Sequence, residues 1–319
     1  FDKWKNPCEP NRAHHALVGF ISYILTGDKY YAEELAAWAT FCTREWPWDG
    51  KIKYPGSRDD AWSSRTIAWG AYILPDSNPF NGYLKGILDD NLDFWLTLVM
   101  DETKYPFHTW ESGSWNGSGR NYWPCSTYIS PWQFAWKVWS LFLIWQLFND
   151  TRAKTLFDWS VVYFQRAYVK DLGATFTSKD GQTITWDPKY TDQYSLAFNK
   201  YTPMKDSSGK WSPVPGSFVP ITNFAEALWY THVNETNSWS PGSPSPPFPP
   251  AGPEPENWTP KPPDKRIPQT TFEEYMMGDL APTLVVAGVP EGLAIWPFIE
   301  PYIITAGKPK GTRRVPSLS

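Results

Sequence analysis

Apolar and polar positions recur along most of this chain with a helical period, punctuated by residues that start and stop helices. The spacing predicts a first helix over Arg12–Leu25, stopped at Thr26-Gly27, where glycine can take the left-handed conformation that closes a helix. A partner is expected from Lys29 to Glu45, and a third helix starts at Arg58 and ends before Pro75. Ser77-Asn78-Pro79 supplies a polar cap and a first-turn proline for a helix over Phe80–Met100. Ser130-Pro131 repeats that signature before Trp132–Phe148, and Asn149-Asp150 makes a tight turn into Arg152–Val169. Later helices are expected over Thr222–Asn234, Phe272–Ala287 and Gly292–Thr305, the second opened by a capping box of Thr271 and Glu274.

Successive helices joined by short turns are helical hairpins, and hairpins stacked side by side give a solenoid or, when they close, an α/α toroid. The expectation is therefore an all-α fold: one domain over residues 1–319, a toroid or incomplete toroid of antiparallel helix pairs. Three longer stretches interrupt it, Thr103–Tyr128, Lys170–Ser217 and Asn237–Thr270. Within the insertion at about 170–217, Phe176 to Trp186 reads as a small β-hairpin about a Lys179-Asp180-Gly181 turn. The excursion at about 237–270 is proline-rich from Pro241 through Pro268 and extended, as polyproline II. A solvated surface excursion is its plainer reading, and a lid or partner-docking segment the other.

Composition narrows the classes. Hydrophobic residues make up 41% of 319, enough for a substantial core, and the formal net charge of −4 leaves no basic footprint for nucleic acid. No run is long and uncharged enough for a membrane span. The chain opens on Phe1 without a methionine, so processing or truncation is expected and the absence of a signal peptide says little about export. Cys8, Cys42 and Cys125 allow at most one disulfide plus a free thiol, and no CxxC pair points to zinc. Sequons at Asn116, Asn149, Asn234 and Asn257 only modestly exceed chance, and no glycosylation is assigned. Abundant Trp and Pro with modest charge fits a secreted, periplasmic or virion-associated glycan-handling protein.

The 21 tryptophans change the picture most. Arg58, Trp62, Arg65, Trp69 and Tyr72 fall at i, i+4, i+7, i+11 and i+14 and share one helical face. Flat rings beside cations suit a wet cleft that stacks sugar-like ligands and holds negative charge, so Trp62, Arg65, Trp69 and Tyr72 are expected to bind substrate. Trp132, Trp136 and Trp139 form a second stripe, more often core than ligand platform. Glu226, Trp229 and Tyr230 on a later helix could line the same face.

Catalytic residue types gather in the Thr103–Tyr128 loop. His108, Glu111, Tyr122 and Tyr128 stand there with Trp110, Trp115, Arg120 and Asn121 among flexible Gly and Ser. The alternative is a surface loop whose aromatics anchor it to the helices. For glycoside hydrolysis, Asp59 or Asp60 with Glu111 would supply paired carboxylates. First-turn carboxylates also favour the helix dipole, however, and adjacent Asp residues cannot both face one cleft. Elimination from an acidic polysaccharide needs a uronate carboxylate neutralised, the C5 proton abstracted and the leaving oxygen protonated. Arg58 and Arg65 suit the first role, His108 or His15 the second, and Tyr122 or Tyr128 the third. His14 points to an apolar face and reads as structural. No metal site, P-loop or dinucleotide fingerprint is present, and Cys125 beside His108 reads as structural. No metal or other cofactor is called for.

Several of these features together resemble a known group. His14-His15 come early, Thr26-Gly27-Asp28-Lys29-Tyr30-Tyr31 form the first turn, and Arg58-Asp59-Asp60-Ala61-Trp62 with Arg65 lies in the next hairpin. The order resembles α/α-toroid carbohydrate enzymes, which include six-hairpin glycosidases and toroid polysaccharide lyases. The likeness covers about residues 10–170, continues weakly to 306, and is one of architecture. About five hairpins are visible, so the ring is expected to be open or completed by residues before Phe1. The resemblance implies chemistry by Arg, Asn, His and Tyr. The expected function is cleavage of an acidic polysaccharide, with elimination ahead of hydrolysis. The competing class is a non-catalytic glycan-binding or structural protein of a virion or surface assembly, in which the chain could be oligomeric.

Overall fold

The structure, a computed structural model, describes residues 19–44, 58–99, 107–109, 128–129, 131–177, 181, 183–188, 196–200, 203–205, 211–213, 219–235 and 280–305. Helices dominate them, and the chain divides into two compact units.

The first unit draws on residues up to Met100 and on Trp136–Trp159. Its helices are α1 (Phe20–Thr26), α2 (Lys29–Arg44), α3 (Arg58–Ile73), α4 (Pro79–Val99) and the parts of α5 (Pro131–Phe148) and α6 (Thr151–Gln165) within that range. The caps work as the sequence predicts. Gly27 closes α1 in the left-handed conformation, its N–H donating to the Tyr23 carbonyl. Asn78 Oδ1 accepts the Phe80 N–H at the start of α4. Asn149 takes φ 51° after α5, and Asp150 Oδ1 accepts the Arg152 and Ala153 N–H groups that open α6. Asn81 adds a cap that spacing did not reveal: its Nδ2 donates to the Ala71 and Leu74 carbonyls at the end of α3.

Helix α3 packs on both α2 and α4. Gly70 sets that closeness, since a Cβ there would lie 3.0 Å from the Ala39 Cβ and 3.1 Å from Leu84 Cδ1. Leu35, Ala39, Ile67, Ala68, Leu84, Leu92, Val138 and Leu141 form the buried interior, and the Ser140 hydroxyl ties α5 to α3 by donating to the Ala61 carbonyl.

The second unit comprises residues 101–135 and 160–319. Helix α6 continues not as α-helix to Val169 but as a π-helical turn over Arg166–Lys170. Strands β2 (Thr175–Thr177) and β3 (Thr183–Thr185) form the expected antiparallel hairpin. Three further two-stranded antiparallel pairs were not foreseen. They are β1 (Tyr128–Ile129) with β4 (Leu196–Ala197), β5 (Asn199–Lys200) with β8 (Val219–Pro220), and β6 (Pro203–Lys205) with β7 (Trp211–Pro213). Then come α7 (Phe224–Glu235), α8 (280–286) and α9 (Glu291–Thr305). The core is aromatic: Phe107, Tyr163, Phe198 and Phe224 cluster, with Trp186 against Phe224 and Phe134 against Tyr163 and Phe164.

The proline-rich segment and the Thr271–Glu274 capping box lie outside the described residues, as do Cys8 and Cys125. The Cys42 thiol is buried. Among the described residues no helix is long and apolar enough to cross a membrane, and no cluster of His, Cys, Asp and Glu could hold a metal ion.

Candidate functional site

The α3 stripe keeps its predicted face but not its predicted environment. Arg65 is 1% exposed and Trp69 5%, Trp62 is half-buried, and Tyr72, at 50%, stands open to solvent. Arg65 and Trp69 are therefore interior residues, which corrects the expectation of a wet cleft along this face. The reason is the indole itself: its face attracts a cation electrostatically, so a guanidinium can be stacked where water is excluded. The Arg65 guanidinium lies 3.7 Å from the Trp62 ring centroid and 4.9 Å from that of Trp69. Phe20 stacks on Trp69 at 4.7 Å, and Trp136 meets Trp62 edge-on at the same spacing. Phe20, Trp69, Arg65, Trp62 and Trp136 thus form a column drawn from α1, α3 and α5. Trp139 joins it edge-on against Trp69, and Trp136 is buried, so these two positions pack inward, as the favoured core reading of this stripe held.

None of the three Arg65 side-chain nitrogens meets a hydrogen-bond acceptor among the described residues. Burial lowers its pKa to about 9, with Cys42 pulling the other way. A second interior cation lies in the same unit. Lys137, the one charged residue of α5, is 2% exposed with Nζ 3.2 Å from the Trp95 centroid. Burial lowers its pKa to about 7, opposed by the charge of Asp60. Asp60 itself is buried, so of the Asp59–Asp60 pair at least this carboxylate is directed to the interior. A lone charged residue in an otherwise uncharged, largely apolar helix was the sequence signal that could have revealed this pair.

Glu226 is likewise an interior cap and not a ligand-lining acid. Its Oε2 accepts the Thr222 N–H and hydroxyl, while Asn223 Oδ1 accepts the Glu226 N–H at the start of α7. Trp229 is buried beside Phe176 of the hairpin.

Of the loop candidates, the structure describes His108. It is half-exposed and has φ 54°, flanked by buried Phe107 and Thr109. A left-handed non-glycine residue costs on the order of 1–3 kcal/mol and persists where its surroundings over-determine it. Phe107 provides that determination. Its ring centroid is 4.5 Å from Phe198 and 4.9 Å from Phe224, and the Arg166 guanidinium stacks 4.3 Å from it. Tyr128 is placed by its backbone in β1, paired with Ala197, and Arg58 and Asp59 open α3. His15, Trp110, Glu111, Trp115, Arg120, Asn121 and Tyr122 lie outside the described residues.

Compared with known proteins, the chain matches no family model, no curated protein and no solved structure.

Proposed function

We propose that this protein is a carbohydrate-active enzyme that cleaves an acidic polysaccharide by β-elimination, with His108 as the base. The observation that carries the reading is the left-handed His108, half-exposed between two buried neighbours. An imidazole, with its ordinary pKa near 6.5, exchanges protons near neutral pH. Holding it in a strained backbone on an aromatic anchor is what positioning a base requires. In the proposed step His108 accepts the C5 proton of a uronate. The C–H electron pair becomes the C4–C5 double bond, the C4–O bond breaks, and the leaving oxygen takes a proton from Tyr128 or Tyr122. Arg120, from the same Thr103–Tyr128 segment, is the proposed partner of the uronate carboxylate.

Elimination is favoured over hydrolysis because Asp60 lies buried and acts electrostatically on Lys137, which weakens the Asp59–Asp60 pair as a hydrolytic apparatus. The packed α2, α3 and α4 helices support, within the same reading, an α/α toroid or incomplete toroid. A secreted, periplasmic or virion-associated setting belongs to it as well.

A second reading has its own support. Burial of Arg65 and Trp69 gives the column a structural task, as a non-catalytic helical protein that binds glycans or builds a surface assembly would need. One experiment separates the two. The protein is incubated with acidic and neutral polysaccharides and the products are weighed by mass spectrometry. Unsaturated ends, with turnover lowered about 10²–10⁴-fold by His108→Ala, are expected for the lyase. Products that gain water would make it a hydrolase, and binding without cleavage would leave the assembly reading.

A further inference from the structure

The geometry points to Arg166 and Asp171 as a clamp that positions His108 through the Phe107 ring. This rests on the reading of His108 as the base. In an ordinary α-helix, side chains five residues apart lie about 140° apart around the axis and do not meet. The π-turn over Arg166–Lys170 changes that, because the Asp171 N–H donates to the Arg166 carbonyl five residues back, at 2.9 Å. It brings the two side chains together: Arg166 Nη2 donates to Asp171 Oδ2 at 2.8 Å and Nε to Oδ1 at 3.3 Å. This forked arrangement orients a planar guanidinium in a way a lysine ammonium cannot.

Two more contacts fix the fork. Arg166 Nη2 also donates to the Thr222 carbonyl at 2.7 Å, and Asp171 Oδ2 accepts the Phe224 N–H that opens α7. Phe224 in turn packs against Phe107. The guanidinium plane, held by three hydrogen bonds to Asp171 and the Thr222 carbonyl, covers the Phe107 ring that two phenyl groups contact from other sides. The residue that follows Phe107 is the left-handed His108. The π-turn thus converts a helix end into a fixed backstop for the strained histidine, and Arg166 acts on His108 as a positioning residue.

The test is NMR on full-length protein carrying labelled histidine. Only four histidines are present, and His108→Ala assigns the signal of interest. Arg166→Lys keeps the charge and loses the fork. The expected result is a His108 Cα shift that leaves the left-handed range or broadens, with an altered imidazole titration and an unchanged melting temperature. Arg152→Lys, which disturbs an ion pair in the other unit, is expected to leave both signals in place. Should Arg166→Lys not fold, Asp171→Asn breaks the fork from its other side and is expected to give the same response. On a cleaved substrate, kcat should fall about 10-fold with KM unchanged, as for a residue that positions a base. His108 signals identical to wild type in a folded fork variant overturn the clamp. Absence of cleavage with every polysaccharide overturns the base reading alone, because the backbone shift still decides the clamp.

Discussion

The two units treat an arginine on an aromatic ring in opposite ways. In the first, Arg65 lies between Trp62 and Trp69, 1% exposed, with no hydrogen-bond acceptor at its nitrogens among the described residues. In the second, Arg166 rests on Phe107 and is held in plane by Asp171 and the Thr222 carbonyl. Stacking on a desolvated ring is worth about 2 kcal/mol, whereas removing a cation from water costs several. Arg166 offsets that cost with a carboxylate and a carbonyl, whereas among the described residues Arg65 has its rings and the opposing charge of Cys42. Contact with an aromatic ring therefore does not tell whether a cation is stabilising. The in-plane partners do.

Lys137 offers the largest effect with which to probe the first unit. The folded protein gives up this proton near pH 7, while an unfolded lysine keeps it to about 10.4. Between those values the unfolded chain binds more protons, so stability rises with pH. Below about 7 both states are protonated and the full cost of burying the ammonium is present. Wild type should gain a few kcal/mol from pH 7 to 10 relative to Lys137→Met with Asp60→Asn, as read by urea unfolding. Equal slopes would mean that the ammonium is not desolvated.

The arginines should then respond with opposite signs. Arg166→Met strands Asp171 and the Thr222 carbonyl and should destabilise by about 2–3 kcal/mol. Arg65→Met removes a buried charge, keeps similar volume and should stabilise by about 1–2 kcal/mol. Loss of stability at position 65 as large as at 166 would erase the contrast. Smallest is Glu226→Ala, which leaves the Asn223 cap but removes the carboxylate that accepts the Thr222 N–H and hydroxyl, and should cost about 1 kcal/mol, seen as a lowered denaturation midpoint.

Helix limits were legible because caps are local chemistry. Gly27, Asn78 and the Asn149-Asp150 step each act within a few residues of themselves. The α3 face was legible as a face, since periodicity states which residues share a side. Whether that side is wet depends on what packs against it, here Phe20 and Trp136, and no spacing on α3 contains that. The same limit hid the short strands: two or three residues are too few to alternate, and Tyr128 pairs with Ala197 from far along the chain. The π-turn was equally hidden, because part of its support is the Trp186 indole, which donates to the Ala167 carbonyl at 2.6 Å. For the candidate site, the sequence marked His108 by residue type. Its left-handed backbone and the Arg166 contact arise only in the folded chain.

Trp186 also governs how this part of the molecule can come apart. Its indole holds the π-turn, its N–H donates to the Ala174 carbonyl, and its own carbonyl accepts the Gly173 N–H. One residue thereby stitches the helix end to the base of the hairpin. Neither can fray alone, so amides of the hairpin and of the turn should exchange with deuterium as a single cooperative block. A protease would meet that block whole or already open, with no half-opened stage between.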